Sequence, residues 1–142
     1  MVKTTFAHVG LNCRDMAATE RFYVKHFGFK RARVVPLGAA KIVFLKSDSA
    51  YLELFAAEGA GGPDPVKGDG PAAAGFRHLA FQVSDIRAKL AEMGSDAVVT
   101  LGPLFFDDFI KGWGAAWIRD PDGRIIEISQ GYQDERNPPA ST

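Results

Sequence analysis

The sequence predicts an α+β fold built from two tandem βαβββ modules, and three observations predict it. The chain repeats a ten-residue pattern, each copy runs into a helical segment, and each half closes on an apolar strand with a glutamate at its centre. The repeat pairs Phe6-Ala7-His8-Val9-Gly10-Leu11-Asn12-Cys13-Arg14-Asp15 with Phe76-Arg77-His78-Leu79-Ala80-Phe81-Gln82-Val83-Ser84-Asp85, at an offset of 70 positions. Both copies read Phe, any residue, His, apolar, small, apolar, polar, apolar, polar, Asp. Self-similarity at a fixed offset is the mark of a duplicated structural unit.

The elements follow in order. Asp15 is a helix N-cap, Ala18, Phe22 and Phe27 fall near one helical face, and Gly28 supplies the stop. In the second half Ser84 or Asp85 opens a helix with Ile86, Leu90 and Met93 at i, i+4 and i+7, which Gly94 ends. Strands are expected over Arg31 to Leu37, Lys41 to Lys46 and Tyr51 to Phe55, then over Ala97 to Leu101, Trp113 to Arg119 and Arg124 to Ser129. Turn residues separate them: Pro36 with Gly38, Ser47-Asp48-Ser49, Gly102-Pro103 and Asp120-Pro121-Asp122-Gly123. The last of these reads as a hairpin turn that fixes the register of the Glu127 strand, not as a catalytic acid pair. The expected organisation is a first module over 1–58, a Gly/Pro-rich linker or mobile loop over 59–74, a second module over 75–133 and a frayed tail over 134–142.

Composition excludes several function classes. At 142 residues the chain suits one ordinary domain or two fused small ones. Lys plus Arg, 17, balances Asp plus Glu, 17, and no basic stretch forms a phosphate-tracking footprint, so nucleic acid is not expected as a partner. No apolar run approaches the roughly 20 residues of a membrane helix, and the opening MVKTTFAHVG lacks a signal-peptide core. The expectation is a soluble cytoplasmic protein. Its single cysteine, Cys13, cannot form an intrachain disulfide and reads as a small buried hydrophobe in a strand. His26, on the first helix, reads as a surface residue.

The candidate site follows from the period of two along a strand. Ala7, Val9, Leu11 and Cys13 leave the first strand on one face, which packs under the helix, so His8 leaves on the other. The same count places His78 opposite Leu79, Phe81 and Val83. Leu52 and Leu54, like Ile126 and Ile128, take the helix side, and Glu53 and Glu127 point away from it. A carboxylate among such apolar neighbours loses hydration at a cost of several kcal/mol unless a cation or donors replace the water. Two imidazoles and two carboxylates neutralise one divalent cation, with ligands that suit zinc, nickel, iron or manganese. The His-to-Glu separation is 45 positions in the first half and 49 in the second, so the pairs are related by the repeat. A lone strand histidine is more often hydrogen-bonded structure than ligand; recurrence of both residue types at matched positions favours the metal.

These residues resemble the vicinal oxygen chelate superfamily, the glyoxalase, bleomycin-resistance and extradiol-dioxygenase group, over about residues 4 to 131. The carrying motifs are Phe6 to Leu11, Phe22-Tyr23-Val24-Lys25-His26-Phe27-Gly28-Phe29, Gly75 to Phe81, and Asp120-Pro121-Asp122-Gly123-Arg124-Ile125-Ile126-Glu127. The resemblance implies curved mixed sheets forming a cleft around one divalent metal ion (Ni, Zn, Co, Mn or Fe), with His8, Glu53, His78 and Glu127 as ligands and substrate oxygens in the open positions. It implies a homodimer, with the metal site within one chain or across the subunit boundary. Extradiol dioxygenases and fosfomycin-resistance enzymes look like users of only two His and one Glu, so Glu53 leans toward glyoxalase I and its isomerase or epimerase relatives. Methylmalonyl-CoA epimerases resemble the pattern with Gln at the place of Glu53.

The activity implied is that of a glyoxalase I-like, metal-dependent lyase or isomerase acting on a small substrate with vicinal oxygens. Such a metal polarises a substrate carbonyl and stabilises the enediolate left by proton abstraction. In glyoxalase I the ligand at the place of Glu127 is usually given the base role, and the one at the place of Glu53 is the candidate for the opposite stereochemical face. Phe44, Tyr51, Phe106, Trp113 and Trp117 are the candidate substrate contacts; core packing is the default for each, as for Phe55, Phe105 and Phe109. The run Leu104-Phe105-Phe106-Asp107-Asp108-Phe109-Ile110 is too apolar to be one-faced and is a candidate cover for the cleft. Lys30, Arg31 and Arg33 lie near the place where glyoxalase I holds glutathione carboxylates, although surface solvation explains them equally well. Two alternatives remain open: an Fe(II)-dependent ring-cleaving dioxygenase in which Glu53 is a bystander, and a metal-free drug-binding protein resembling bleomycin-resistance proteins.

Overall fold

The computed structural model describes residues 1–48, 50–59 and 67–141. Two four-stranded mixed sheets, each with one helix, carry the chain. The first half runs β1 (Val9–Cys13), α1 (Met16–Phe27), β2 (Lys30–Leu37), β3 (Ala40–Ser47) and β4 (Ala50–Ala56). The second runs β5 (Leu79–Gln82), α2 (Ile86–Met93), a single 3-10 turn (Gly94–Asp96), β6 (Val98–Phe105), β7 (Gly114–Arg119) and β8 (Ile125–Gln130). The sheet orders are β1-β4-β3-β2 and β5-β8-β7-β6. In each, the first strand lies parallel to the last and the other pairs are antiparallel, as a βαβββ unit requires. Among the described residues no helix is long and apolar enough to cross a membrane.

By contacts the chain divides into two units. Residues up to 59 with Asp120–Gly123 form one, and the remainder from 67 onward forms the other. Residues 60–66 of the expected linker, and Ser49 of one expected turn, lie outside the described residues. The turn at Asp120–Gly123 closes through Gly123 N–H to the Asp120 carbonyl at 2.9 Å. It falls in the first unit because Asp122 accepts from Arg14 N–H and the Thr19 hydroxyl, each at 2.9 Å, and Asp120 from the Tyr23 hydroxyl at 3.0 Å. These carboxylates anchor α1.

Both helices start and stop on the expected residues. Asp15 accepts from Ala18 N–H and Asp85 from Ala88 N–H, each filling one orphan donor of a first turn. Gly28 ends α1 in the left-handed conformation, at φ 68°. The buried face of α1 is Thr19, Phe22, Tyr23 and His26, at i, i+3, i+4 and i+7. His26 is thus a correction: it is 4% exposed, edge-on to Phe22 at 5.3 Å, and not on the surface. Its stripe has polar residues at both ends, which hid it from a count of apolar positions. A second difference concerns β6, which runs on through Gly102-Pro103 to Phe105 instead of turning there. An edge strand tolerates a proline at a register shift, and the pairing with β7 slips between Leu101 and Leu104.

The cores are the helix-facing sides of the sheets: Leu11, Cys13, Val43, Leu45, Leu52 and Leu54 in one unit, Ile118, Ile126 and Ile128 in the other. Cys13 is buried, as expected of a small hydrophobe. One surface pair ties α1 to β2. Arg31 donates to both oxygens of Glu20, at 2.7 and 2.6 Å, and the guanidinium holds that carboxyl below the usual glutamate range. A depressed folded-state pKa gives stability that is complete above the ordinary value of 4.5 and is lost as pH falls through the folded value. Glu20→Gln is therefore expected to lower the urea midpoint at neutral pH by an amount equivalent to about 1 kcal/mol or less, and to narrow its gap from wild type as pH drops below 4.5. A gap that widened on acidification would reverse the assignment.

Candidate metal centre

Each unit brings one histidine to one glutamate. His8 immediately precedes β1, and its Nε2 lies 2.8 Å from Oε2 of Glu53 on β4. His78 immediately precedes β5, and its Nε2 lies 2.9 Å from Oε2 of Glu127 on β8. The parallel ladders explain the matching: Val9 pairs with Leu52 and Leu79 with Ile126, so each histidine reaches across to the glutamate one position beyond. Leu52, Leu54, Ile126 and Ile128 are buried while Glu53 and Glu127 stay partly exposed, so both glutamates leave the face opposite the helix-side core.

The neighbours recur as well. Gly10 pairs with Glu53 and Ala80 with Glu127, and these are the small positions of the repeat. On the other flank, Phe44 pairs with Glu53 and Trp117 with Glu127. The Phe44 ring meets His8 edge-on at 5.9 Å, and Trp117 Nε1–H donates to Glu127 Oε2 at 3.1 Å. The two aromatics thus act on different members of the pairs: Phe44 packs against the histidine of the first, and Trp117 holds the carboxylate of the second.

His78 shows what these pairs can bind. Its Nδ1 lies 2.7 Å from the backbone carbonyl of Asp69, which can only accept, so Nδ1 carries a proton. Nε2 of the neutral ring is then a lone pair facing a carboxylate oxygen. Two acceptors at 2.9 Å need a cation shared between them, either a proton or a metal ion. A ring held through Nδ1–H to a carbonyl, beside a carboxylate held by an indole N–H, is the outer support that metal ligands characteristically have. The donors present therefore fit a divalent ion. Among the described residues no group of three or more His, Cys, Asp or Glu side chains gathers to hold one; the structure assembles two pairs, one per unit.

Of the remaining candidates, Tyr51 lies beneath the Lys46 ammonium at 5.3 Å. Phe106 packs on Ala115, Trp117 and Ile125 and meets Trp113 at 4.9 Å; Trp113 in turn meets Tyr132 at 6.0 Å. Phe109 is exposed, in a turn closed by Phe106 N–H to the Trp113 carbonyl at 2.8 Å. Arg31 is engaged by Glu20, which accounts for its charge without a substrate carboxylate. The Asp69 carbonyl was not identifiable from sequence; the repeat locates His78, and only the folded chain returns that carbonyl to it.

The chain belongs to the Glyoxalase/Bleomycin resistance protein/Dioxygenase superfamily, whose model matches residues 5–128. It is 28% identical over 132 residues to the uncharacterized protein YwkD of Bacillus subtilis (strain 168), spanning 90% of this chain and 98% of that protein. Among solved structures it is similar to a glyoxalase family protein from Enterococcus faecalis, with 31% identity, a TM-score of 0.67 and coverage of 88% of this chain and 96% of that one. It is also similar to a lactoylglutathione lyase from Agrobacterium tumefaciens, with 25% identity, a TM-score of 0.59 and coverage of 91% and 95%.

Proposed function

We propose that the chain is a metal-dependent, glyoxalase-like lyase or isomerase acting on a small substrate with vicinal oxygens. The observation that carries this reading is the duplicated pair: an imidazole Nε2 at 2.8 and 2.9 Å from a glutamate Oε2, each histidine just before the first strand of its unit and each glutamate on the last. The likeness to the lactoylglutathione lyase of Agrobacterium tumefaciens supports the reaction class. His8, Glu53, His78 and Glu127 would hold the ion. A complete set takes both pairs, from one chain or from two copies in a homodimer. Once bound, the ion supplies Lewis acidity to a substrate oxygen.

The chain's own residues do the rest. A carboxylate takes a proton from the hydroxyl-bearing carbon beside the substrate carbonyl and returns it to the carbonyl carbon, while the hydroxyl proton passes to the former carbonyl oxygen, so the product is an isomer at constant composition. Glu127 is the first candidate, since the Trp117 indole and His78 fix its Oε2 and so set the direction of the carboxylate. Glu53, with its own imidazole, is the candidate for the opposite face of the substrate.

The test is metal analysis of the purified protein, followed by turnover of the hemithioacetal of methylglyoxal and glutathione with Ni(II), Zn(II), Co(II), Mn(II) or Fe(II). The expected result is tightly held metal and turnover. Metal without turnover would keep the site and reject this substrate. Oxygen-sensitive activity that requires Fe(II) would instead favour a ring-cleaving dioxygenase, and ligand binding with no retained metal a drug-sequestering protein.

A further inference from the structure

We propose that residues 68–71 form a strap that positions His78 as a metal ligand, and that Arg77 and Thr100 are the positioning residues that hold it. The inference rests on the metal reading above and adds residues to it. Three of its four residues, Gly68, Asp69 and Pro71, are anchored by hydrogen bonds. The Gly68 carbonyl lies 2.6 Å from the Thr100 hydroxyl on β6. The Asp69 carbonyl accepts from His78 Nδ1 at 2.7 Å. The Asp69 carboxylate accepts from Arg77 Nη2 at 2.7 Å and Nε at 3.3 Å, and the Pro71 carbonyl from Arg77 Nη1 at 3.3 Å.

Gly70 sits between these anchors at φ 133°, a conformation that side chains disfavour, and a Cβ there would lie 2.8 Å from Arg77 Cγ. The strap therefore lies directly on the residue preceding the ligand. Its chemical effect is to fix one tautomer: with Nδ1–H given to the Asp69 carbonyl, the Nε2 lone pair is aimed at the Glu127 side. Thr100 also lies 3.2 Å from the Trp117 carbonyl, and Trp117 holds Glu127, so one strand edge supports both members of the pair. The Arg77–Asp69 pair is largely solvent-exposed, with 51% and 37% of the side chains accessible, and exposed pairs add little to global stability. Its consequence should appear at the ligand.

The test compares Arg77→Ala, Thr100→Val and Thr100→Ser in the full chain. Two properties are read: Ni(II) affinity by competition with a chelator, and the His78 ring tautomer by long-range 15N–1H NMR of the metal-free protein at a pH where the ring is neutral. Arg77→Ala and Thr100→Val are expected to weaken Ni(II) binding about 10- to 100-fold and to erode the Nδ1–H tautomer, while Thr100→Ser keeps both. Affinity and tautomer unchanged in Arg77→Ala and Thr100→Val would overturn the strap. His78→Ala separates the two ideas: if it binds Ni(II) as wild type does, the metal reading itself fails, and if it abolishes binding while the strap variants do not, only the strap fails.

Discussion

Glutamine in place of Glu127 is expected to lower turnover of the hemithioacetal by about 100- to 10,000-fold at saturating metal, with the fold intact. The size follows from what the proposed role removes. Glutamine keeps the shape of the side chain and an oxygen that can still accept from Trp117 Nε1–H, so the support seen at 3.1 Å survives. It loses the negative charge that shares a cation with His78 and the basic lone pair that would take the proton. Supplying metal in excess separates these losses, because weaker binding is then compensated and a missing base is not. The deficit should fall on kcat, with KM close to wild type, as expected of a group that acts in the transition state. Glu53→Gln is the partner measurement: whichever variant retains less kcat at saturating metal identifies the carboxylate that takes the proton. If both kept kcat within about twofold of wild type, neither would be the base and the proposed chemistry would be rejected.

Much of this arrangement was legible because it depends on local rules. Asp15 and Asp85 could be read as caps and Gly28 and Gly94 as stops, since capping and a positive φ, which both glycines adopt, are properties of single residues. The alternation of Leu52, Glu53 and Leu54, and of Ile126, Glu127 and Ile128, gave the faces of β4 and β8, because a strand fixes side-chain direction at every second residue. What escaped is what a distant segment brings. Neither the Asp69 carbonyl at His78 nor the docking of Asp120 and Asp122 on α1 leaves a local pattern, since each joins residues that only the fold brings together. His26 escaped for a different reason. A half-polar stripe of Thr19, Phe22, Tyr23 and His26 is buried whole, and the apolar count preferred Ala18 and Phe27. The pairing of each histidine with its own glutamate follows from the parallel register of β1 on β4 and of β5 on β8.

Leu54→Ala and Glu53→Ala test the strand-face argument through adjacent residues with opposite expected consequences. Leu54 is fully buried opposite Val43, itself fully buried, so truncation leaves a cavity that the sheet cannot close. A cost of about 2–5 kcal/mol is expected, a large share of the roughly 5–15 kcal/mol that holds an ordinary domain together. The melting temperature should fall by about 5–15 °C, with Ni(II) affinity retained at temperatures well below the new midpoint. Glu53 faces the other way and meets His8, whose side chain is 41% exposed. Its removal costs about 1 kcal/mol or less in the metal-free protein, because an exposed pair is weak, yet it deletes one of the proposed ligands. Calorimetric scans and chelator competition on both variants decide the matter. Loss of Ni(II) binding in folded Leu54→Ala as severe as in Glu53→Ala would mean that the ligand set is not confined to the face opposite the core, because the alternation of the pleat forbids neighbours on one strand from sharing both roles.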